Sequence, residues 1–445
     1  MNKSTLALAI AAGVLAQQAS AAGFVEDSKA TLGLRNFYIN TDYRDGTGPN
    51  KNEEWGQGFD LRFISGYTQG TVGFGIDAIG LLGVKLDSGG GTNGAANSAA
   101  YGGTVFPSKS NGEAVDDFSS LGLTAKAKIS QTELKLGTLQ PKLPVIVTND
   151  GRLLPQTWEG GQLTSGDIKD LTLVGGQIEH VKGRNSSNNE QLAINGASPR
   201  TINSNKFIYA GGDYKITKDL TAQYYYGNLE DFYKQHFLGL VHNWAIGPGV
   251  LKSDFRYFNS TDDGANGSNP LYYSTGNYSG VANGKGKVDN NLYSGLFLYS
   301  VAGHTFGGGY QVSNGSSDFP WLNQGDGSSN YTITDSQIQK FARAGERTWQ
   351  ARYSFDFAKV GVPGLTAGVV YLHGDNIDTV NARGAQAANG ASEWERDLNV
   401  GYVVQSGALK NLGVAWKNAS WRTDLPNTRS QDENRLIVSY SIPLL

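Results

Sequence analysis

The sequence predicts an all-β protein, a transmembrane antiparallel up-and-down β-barrel of 18 strands with inward-folded loops constricting its lumen. Three observations carry this prediction. Strand-length segments alternate apolar and polar residues, connections alternate short and long, and the N-terminus has the layout of an export leader.

The leader comes first. Met1-Asn2-Lys3 is a positive start, residues 5–16 are mostly apolar, and Ala19-Ser20-Ala21 has the small-x-small form of a cleavage site. That is the tripartite plan of a secretory signal peptide, and it is too short to span a bilayer. Residues 1–21 are therefore expected to be the signal peptide and 22–445 a single barrel domain.

Composition supports strands over packed helices: Gly is 60, Tyr 22, Met 1 and Cys 0. An exported chain without cysteine has no disulfides, so hydrogen bonds must close the fold, as they do in a barrel. No apolar run beyond the leader approaches the length of a spanning helix. The mean hydropathy of -0.36 looks soluble. Barrels look so on such scales because lipid-facing and water-facing residues alternate. A net charge of -3 with no basic tract argues against nucleic acid as a partner.

The alternation is plain in three places. Phe59, Leu61, Phe63, Ser65 and Tyr67 alternate with Asp60, Arg62, Ile64 and Gly66. Trp349, Ala351, Tyr353, Phe355 and Phe357 alternate with Thr348, Gln350, Arg352, Ser354 and Asp356. Leu436, Val438, Tyr440, Ile442 and Leu444 alternate with Arg435, Ile437, Ser439, Ser441 and Pro443. In a membrane barrel the apolar set faces lipid and the other lines water. Short links fall at residues 68–70, 130–131, 165–169, 217–218, 246–249, 301–303, 358–364 and 406–410. Longer ones fall at 41–56, 86–117, 140–155, 183–205, 260–288, 314–345 and 375–392, with 229–231 and 423–432 completing that side. Nine outer connections and eight inner turns give 18 strands. Residues 156–164 count as a strand because bacterial single-chain barrels have even numbers. Trp244, Trp349, Trp394, Trp416, Tyr353 and Tyr402 suit interfacial girdles.

These segments also carry a resemblance. Residues 32–38 (LGLRNFY), 60–89 (DLRFISGYTQGTVGFGIDAIGLLGVKLDSG), 149–161 (NDGRLLPQTWEGG), 183–188 (GRNSSN), 340–349 (KFARAGERTW), 393–398 (EWERDL) and 432–440 (DENRLIVSY) appear in order over nearly the whole mature chain. In these blocks the sequence resembles the OprD family of outer-membrane carboxylate channels. The resemblance implies an 18-stranded barrel in the bacterial outer membrane and a narrow pore guided by basic lumen residues. It also implies a ladder of arginines on the first and last strands, which Arg35, Arg62 and Arg435 match. Where the family often has paired arginines on the strand before the last, this chain has Ala415 and Lys417, which thins the ladder.

Parity places Arg35, Arg62, Arg256, Arg352, Lys417 and Arg435 on the water side. A guanidinium keeps its proton and offers a planar fork to a carboxylate, whereas an ammonium is a point charge. A series of such sites can pass an anion along if each holds it weakly. Asp60, Asp254 and Asp356 share those faces, so wall salt bridges compete for the same arginines. In residues 140–155, Pro141, Pro144 and Pro155 stiffen an apolar centre at 143–147, and Asp150-Gly151 permits a tight turn. This loop is expected to fold inward as the constriction with Lys142, Asp150 and Arg152, as family channels use it. Residues 314–327 form a second inward candidate around Asp318, Phe319, Pro320 and Trp321. Asp318 there is placed either to hold a solute amino group or to neutralise an arginine.

Enzyme classes find no support: the five histidines lack metal-binding spacing and no Gly-x-Ser-x-Gly elbow occurs. No cofactor is expected. The partners expected are small carboxylate solutes and outer-membrane lipid, and the expected unit is a monomer, with a trimer as the other arrangement. Basic amino acids or small peptides are the alternative cargo; an outer-membrane hydrolase is the alternative from another class.

Overall fold

The computed structural model describes residues 23–46, 50–88, 103–195, 203–264, 288–323, 329–380 and 386–445; the expected leader lies outside them. Eighteen strands form one closed antiparallel sheet. In chain order they are β1 (Lys29–Tyr43), β2 (Lys51–Ile64), β3 (Gly73–Asp87), β4 (Asp117–Ile129), β5 (Thr132–Leu139), β6 (Thr157–Ser165), β7 (Leu171–Lys182), β8 (Phe207–Lys215) and β9 (Leu220–Leu229). They continue as β10 (Tyr233–Ile246), β11 (Gly249–Asp262), β12 (Asp289–Val301), β13 (His304–Gly315), β14 (Arg347–Asp356), β15 (Leu365–Val380), β16 (Gln386–Val403), β17 (Gly413–Thr423) and β18 (Gln431–Pro443). Each pairs with its sequence neighbours, and β1 pairs with β18 from Thr31↔Pro443 to Tyr43↔Gln431, which leaves no edge. Closure matters because lipid cannot satisfy an unpaired backbone group.

The inner turns are tight. Ala302 and Gly303 connect β12 to β13 with φ of 49° and 86°. Two left-handed residues in succession give the turn whose twist matches the flanking strands. Strand β6, the element admitted on parity of number, pairs with both β5 and β7. The only helical element among the described residues is a single 3-10 turn, Phe357–Val360, capped by Asp356. Trp244, Trp349, Trp416, Tyr353 and Tyr402 are exposed on the outer face, as the girdle reading requires.

Three expectations are corrected. The connections placed at 41–56 and 375–392 are short, because β1, β2, β15 and β16 run on past the apolar pattern. Residues such as Thr41, Asn52 and Glu54 carry no lipid-facing signal, yet backbone pairing continues through them. Ser65 and Tyr67 do not extend the lipid face of β2. The chain has left the sheet there, the Ser65 carbonyl accepts from Lys126 at 2.7 Å, and Lys126 lies 4.8 Å from the Tyr67 ring centroid. Finally, the inner face is not uniformly polar. Phe207, Tyr209, Tyr225, Phe237 and Phe258 point inward and are buried in the main apolar cluster. They form the seat for the inward-folded loops, whose Val145, Ile146, Phe319 and Leu322 join the same cluster.

Candidate functional site

Two loops fold into the barrel. The first connects β5 to β6. Its start doubles back as a small hairpin in which Lys142–Leu143 pairs with Ile146–Val147. The hairpin tip reaches the wall on one side of its own strands: a Cβ on Gly227 of β9 would lie 3.0 Å from the Val145 side chain. The return limb reaches the wall on the other side, where a Cβ on Gly58 of β2 would lie 2.9 Å from the Leu153 carbonyl. Only glycine lets the loop approach the wall so closely at both ends. Trp158 braces the structure by donating from Nε1 to Thr148 Oγ1 at 3.1 Å.

The second loop connects β13 to β14, and more of it folds inward than the sequence suggested. Phe319 packs edge-on against Phe258, with centroids 5.0 Å apart. Leu322–Asn323 pairs with Ala193–Ile194 of another outer connection. Residues 329–345 then run along the wall as a strap, beyond the 314–327 stretch expected to fold inward.

The predicted basic residues divide into two groups by what their donors do. Arg256 grips Asp254 through two nitrogens at 2.9 and 2.7 Å and donates its third to the Tyr331 carbonyl at 2.8 Å. Its guanidinium also lies 4.0 Å from the Tyr331 ring centroid. Arg352 donates to Gln350 and, at 2.6 Å, to the Ile333 carbonyl. Arg435 donates to Glu433 at 2.6 Å, to the Gly151 carbonyl at 3.3 Å and to the Gln337 carbonyl at 2.9 Å. It therefore touches both inward loops at once. These three arginines spend much of their hydrogen-bonding capacity on holding the loops.

The second group is freer. Arg62 uses Nε and one terminal nitrogen on Asp60, and its other terminal nitrogen makes no hydrogen bond among the described residues. Lys417 sits directly across from Arg435 in the β17–β18 register and makes no hydrogen bond or ion pair among the described residues. Arg35 remains 30% exposed, but by its donors it sides with the first group. Both its terminal nitrogens hold the constriction loop through Asp150, the nearer at 2.7 Å, and one also donates to the Arg152 carbonyl at 2.7 Å. Arg35, Arg62, Lys417 and Arg435 occupy four adjacent strands, β17, β18, β1 and β2.

The other predicted residues fall around this face. Lys142, exposed on the hairpin, lines a cavity of about 390 Å³ with Arg62, Asp77, Thr124, Lys135 and Asp150. Arg152 turns away and donates to the Thr104 carbonyl at 3.2 Å, tying the constriction loop to the connection before β4. Asp318 accepts from the Ala344 N–H at 2.9 Å within its own loop. Asp356 caps the inner 3-10 turn and plays no part in the lumen.

Several residues escaped the sequence reading. Arg184, buried in the connection after β7, donates to Asn149 Oδ1 at 3.0 Å and so supports the constriction loop. Glu393, Glu395, Asp397 and Glu433 are buried carboxylates on the inner face of β16 and β18. Arg343 and Glu346, on the second loop, meet Glu393: Arg343 forms an ion pair with it. Burial, and then the Glu393 charge, push the Glu346 carboxyl well above its ordinary range. Parity alone could have flagged these acids, since three of them alternate along one strand.

The geometry is that of a water path narrowed by two strapped loops, and comparison with known proteins agrees. Residues 22–444 match the family model described as outer membrane porin, OprD family. The chain is 38% identical to the Porin-like protein GalP of Pseudomonas putida, over 98% of this chain and 96% of that protein. It is 34% identical to Porin D of Pseudomonas aeruginosa, over 100% and 99% respectively. Among solved structures, Pseudomonas aeruginosa OccK8 (OprE) superposes with a TM-score of 0.85 at 61% identity, covering 95% of this chain and all of that one. Pseudomonas aeruginosa OpdK with vanillate gives 0.82 at 37% identity, with 95% of this chain and 100% of that one covered. The proteins it resembles are channels and not enzymes; this chain is an outer-membrane porin and belongs to the OprD family.

Proposed function

We propose that the barrel passes small carboxylate-bearing solutes passively, guided by the basic face formed by Arg35, Arg62, Lys417 and Arg435. The observation that carries this reading is the unspent cationic capacity of Lys417 and Arg62 on that face. Lys417 lies beside Arg435 with no acid bonded to it among the described residues, and Arg62 keeps a free terminal nitrogen beside a cavity it shares with Lys142. Like charges placed side by side lose stability unless something anionic visits them. A relative solved with vanillate, an aromatic carboxylate, supports the same class of cargo.

The chemistry needs no covalent step. A carboxylate entering the lumen exchanges water for guanidinium or ammonium donors, and close neighbours let it move on before any one site traps it. The committed arginines, Arg256, Arg352 and Arg435, contribute positive potential while their donors hold the strap. Residues 1–21 are assigned to a leader removed on export, and the working unit to one barrel. The mass of the purified protein, with and without detergent correction, checks both.

Proteoliposome swelling with benzoate, a basic amino acid and neutral sugars of similar size tests the proposal. Faster entry of the carboxylate than of the size-matched sugar is expected. Equal rates for all three would remove carboxylate selectivity.

A further inference from the structure

The acidic block on β16 is buried against the second inward loop, and its geometry points to a use in holding that loop. Glu393, Glu395 and Asp397 alternate along the inner face of β16 and are buried, with relative exposures of 1%, 0% and 6%. Carboxylates so enclosed must each be satisfied by fixed donors. The donors come from the second inward loop. The N–H groups of Ile338 and Gln339 both donate to Glu395 at 2.8 Å, and the N–H of Gln337 donates to Asp397 at 3.1 Å. Glu393 pairs with Arg343 of the same loop and accepts from Trp421 Nε1 at 2.8 Å. On the neighbouring side, Glu433 accepts from the Gln337 side chain at 3.0 Å.

The opposite polarity of the loop backbone is also matched. Its carbonyls at Tyr331, Ile333 and Gln337 accept from Arg256, Arg352 and Arg435. One strap thus gives three successive N–H groups to wall carboxylates and three carbonyls to wall arginines. The two sequence blocks at residues 340–349 and 393–398 lie about one-tenth of the chain apart, and the fold joins them at Arg343, Glu346 and Glu393.

We propose that Glu393, Glu395 and Asp397 are positioning residues that clamp the second inward loop and so set the bore of the pore. They act on which sizes pass and not on which charges pass. Their oxygens accept from loop N–H groups, Arg343 and Trp421, so losing one leaves buried donors without acceptors. Orphaned donors seek water, and the strap moves with them. Because Arg435 also holds the Gly151 carbonyl, a released strap loosens the constriction loop as well. This inference concerns bore and stands whichever solutes pass.

The test compares Glu395→Gln, Glu395→Ala and Gln339→Pro in the full-length barrel. Glutamine keeps one carbonyl acceptor and removes the charge. Alanine removes both acceptors. Proline at 339 deletes one loop N–H and leaves every charge in place. Heat-modifiable mobility on gels selects folded barrels. The expected result is larger, noisier single-channel conductance and entry of bulkier neutral sugars, in the order Ala above Gln above wild type. Gln339→Pro should behave like the Glu395 variants. Reversal potential in a salt gradient should stay at the wild-type value for all three. If both Glu395 variants shift reversal potential equally while sugar size limits stay fixed, Glu395 is a charge selector and the proposal fails. It also fails if Gln339→Pro folds and leaves conductance unchanged. Should Glu395→Ala not fold, the Gln and Pro variants decide the matter alone.

Discussion

Replacing Lys417 with glutamine isolates the guiding charge better than any arginine substitution. Arg256, Arg352 and Arg435 also hold a loop, so their loss would change bore and charge together. Lys417 has no such bond among the described residues and is half-buried opposite Arg435. A unit charge about 4 Å from a carboxylate gives about 4 kcal/mol at an effective dielectric of about 20, and about 1 kcal/mol in bulk water. A wet lumen and partial desolvation put the net value near the lower figure, about 1 kcal/mol. That is about a fivefold change in local carboxylate occupancy, since roughly 1.4 kcal/mol is tenfold. Thermal stability should hold or rise slightly, because cross-strand like charges cost about 0.2–1 kcal/mol. The assay is reversal potential and carboxylate-driven liposome swelling, both at about 0.1 M and at about 1 M salt, where screening lengths are about 10 and 3 Å. Anion preference should fall severalfold at low salt, and the difference should vanish at high salt. A folded Lys417→Gln barrel with wild-type selectivity at low salt would refute the argument, and the cation would then lie off the solute path.

Three other outcomes follow from the same geometry. Gly227→Ala places a Cβ 3.0 Å from Val145 and 2.9 Å from Phe207. It should lower stability by about 1–3 kcal/mol through overpacking and shift the hairpin tip, raising conductance; an unchanged melting curve and conductance would mean the tip does not lean on that wall. Asp318→Asn removes one negative charge while its amide oxygen still accepts from Ala344. Anion preference should rise with little loss of stability, read as reversal potential beside a melting curve. At the inner turn, hydrogen bonds from Ser130, Thr132 and the Gln131 N–H hold Asp167 down at about 2, against an ordinary 3.8. A depressed carboxyl stabilises the fold above its unfolded value and loses that contribution as pH falls through the folded one. Protection of the amides at residues 130–132, relative to unstructured peptide at the same pH, should therefore fall between pH 3.8 and about 2, and Asp167→Ala should abolish that step.

Much of the architecture follows from the sequence because two physical periods are local. Side chains alternate along a strand whatever its neighbours do, so Leu61, Tyr353 and Leu436 face lipid while Arg62, Arg352 and Arg435 face inward. Proline and glycine mark turns locally too, and the two-residue link at 130–131 lies where its neighbours predicted. The apolar centre at 143–147 signalled an inward loop because bulk water would not tolerate it. What the sequence did not determine depends on which groups meet across the lumen. Whether Arg256 is a guide or a brace turns on the Tyr331 carbonyl, 75 residues away. The inward aromatics Phe237 and Phe258 break the polar-inside rule only because a loop from elsewhere covers them. The acids at 393, 395 and 397 were not singled out in the sequence; only the fold brings backbone N–H donors within 3.1 Å of Glu395 and Asp397 and the Trp421 indole within 2.8 Å of Glu393. Direction is set by the residue and its neighbours in the chain; function within a barrel is set by the partner that closure places opposite.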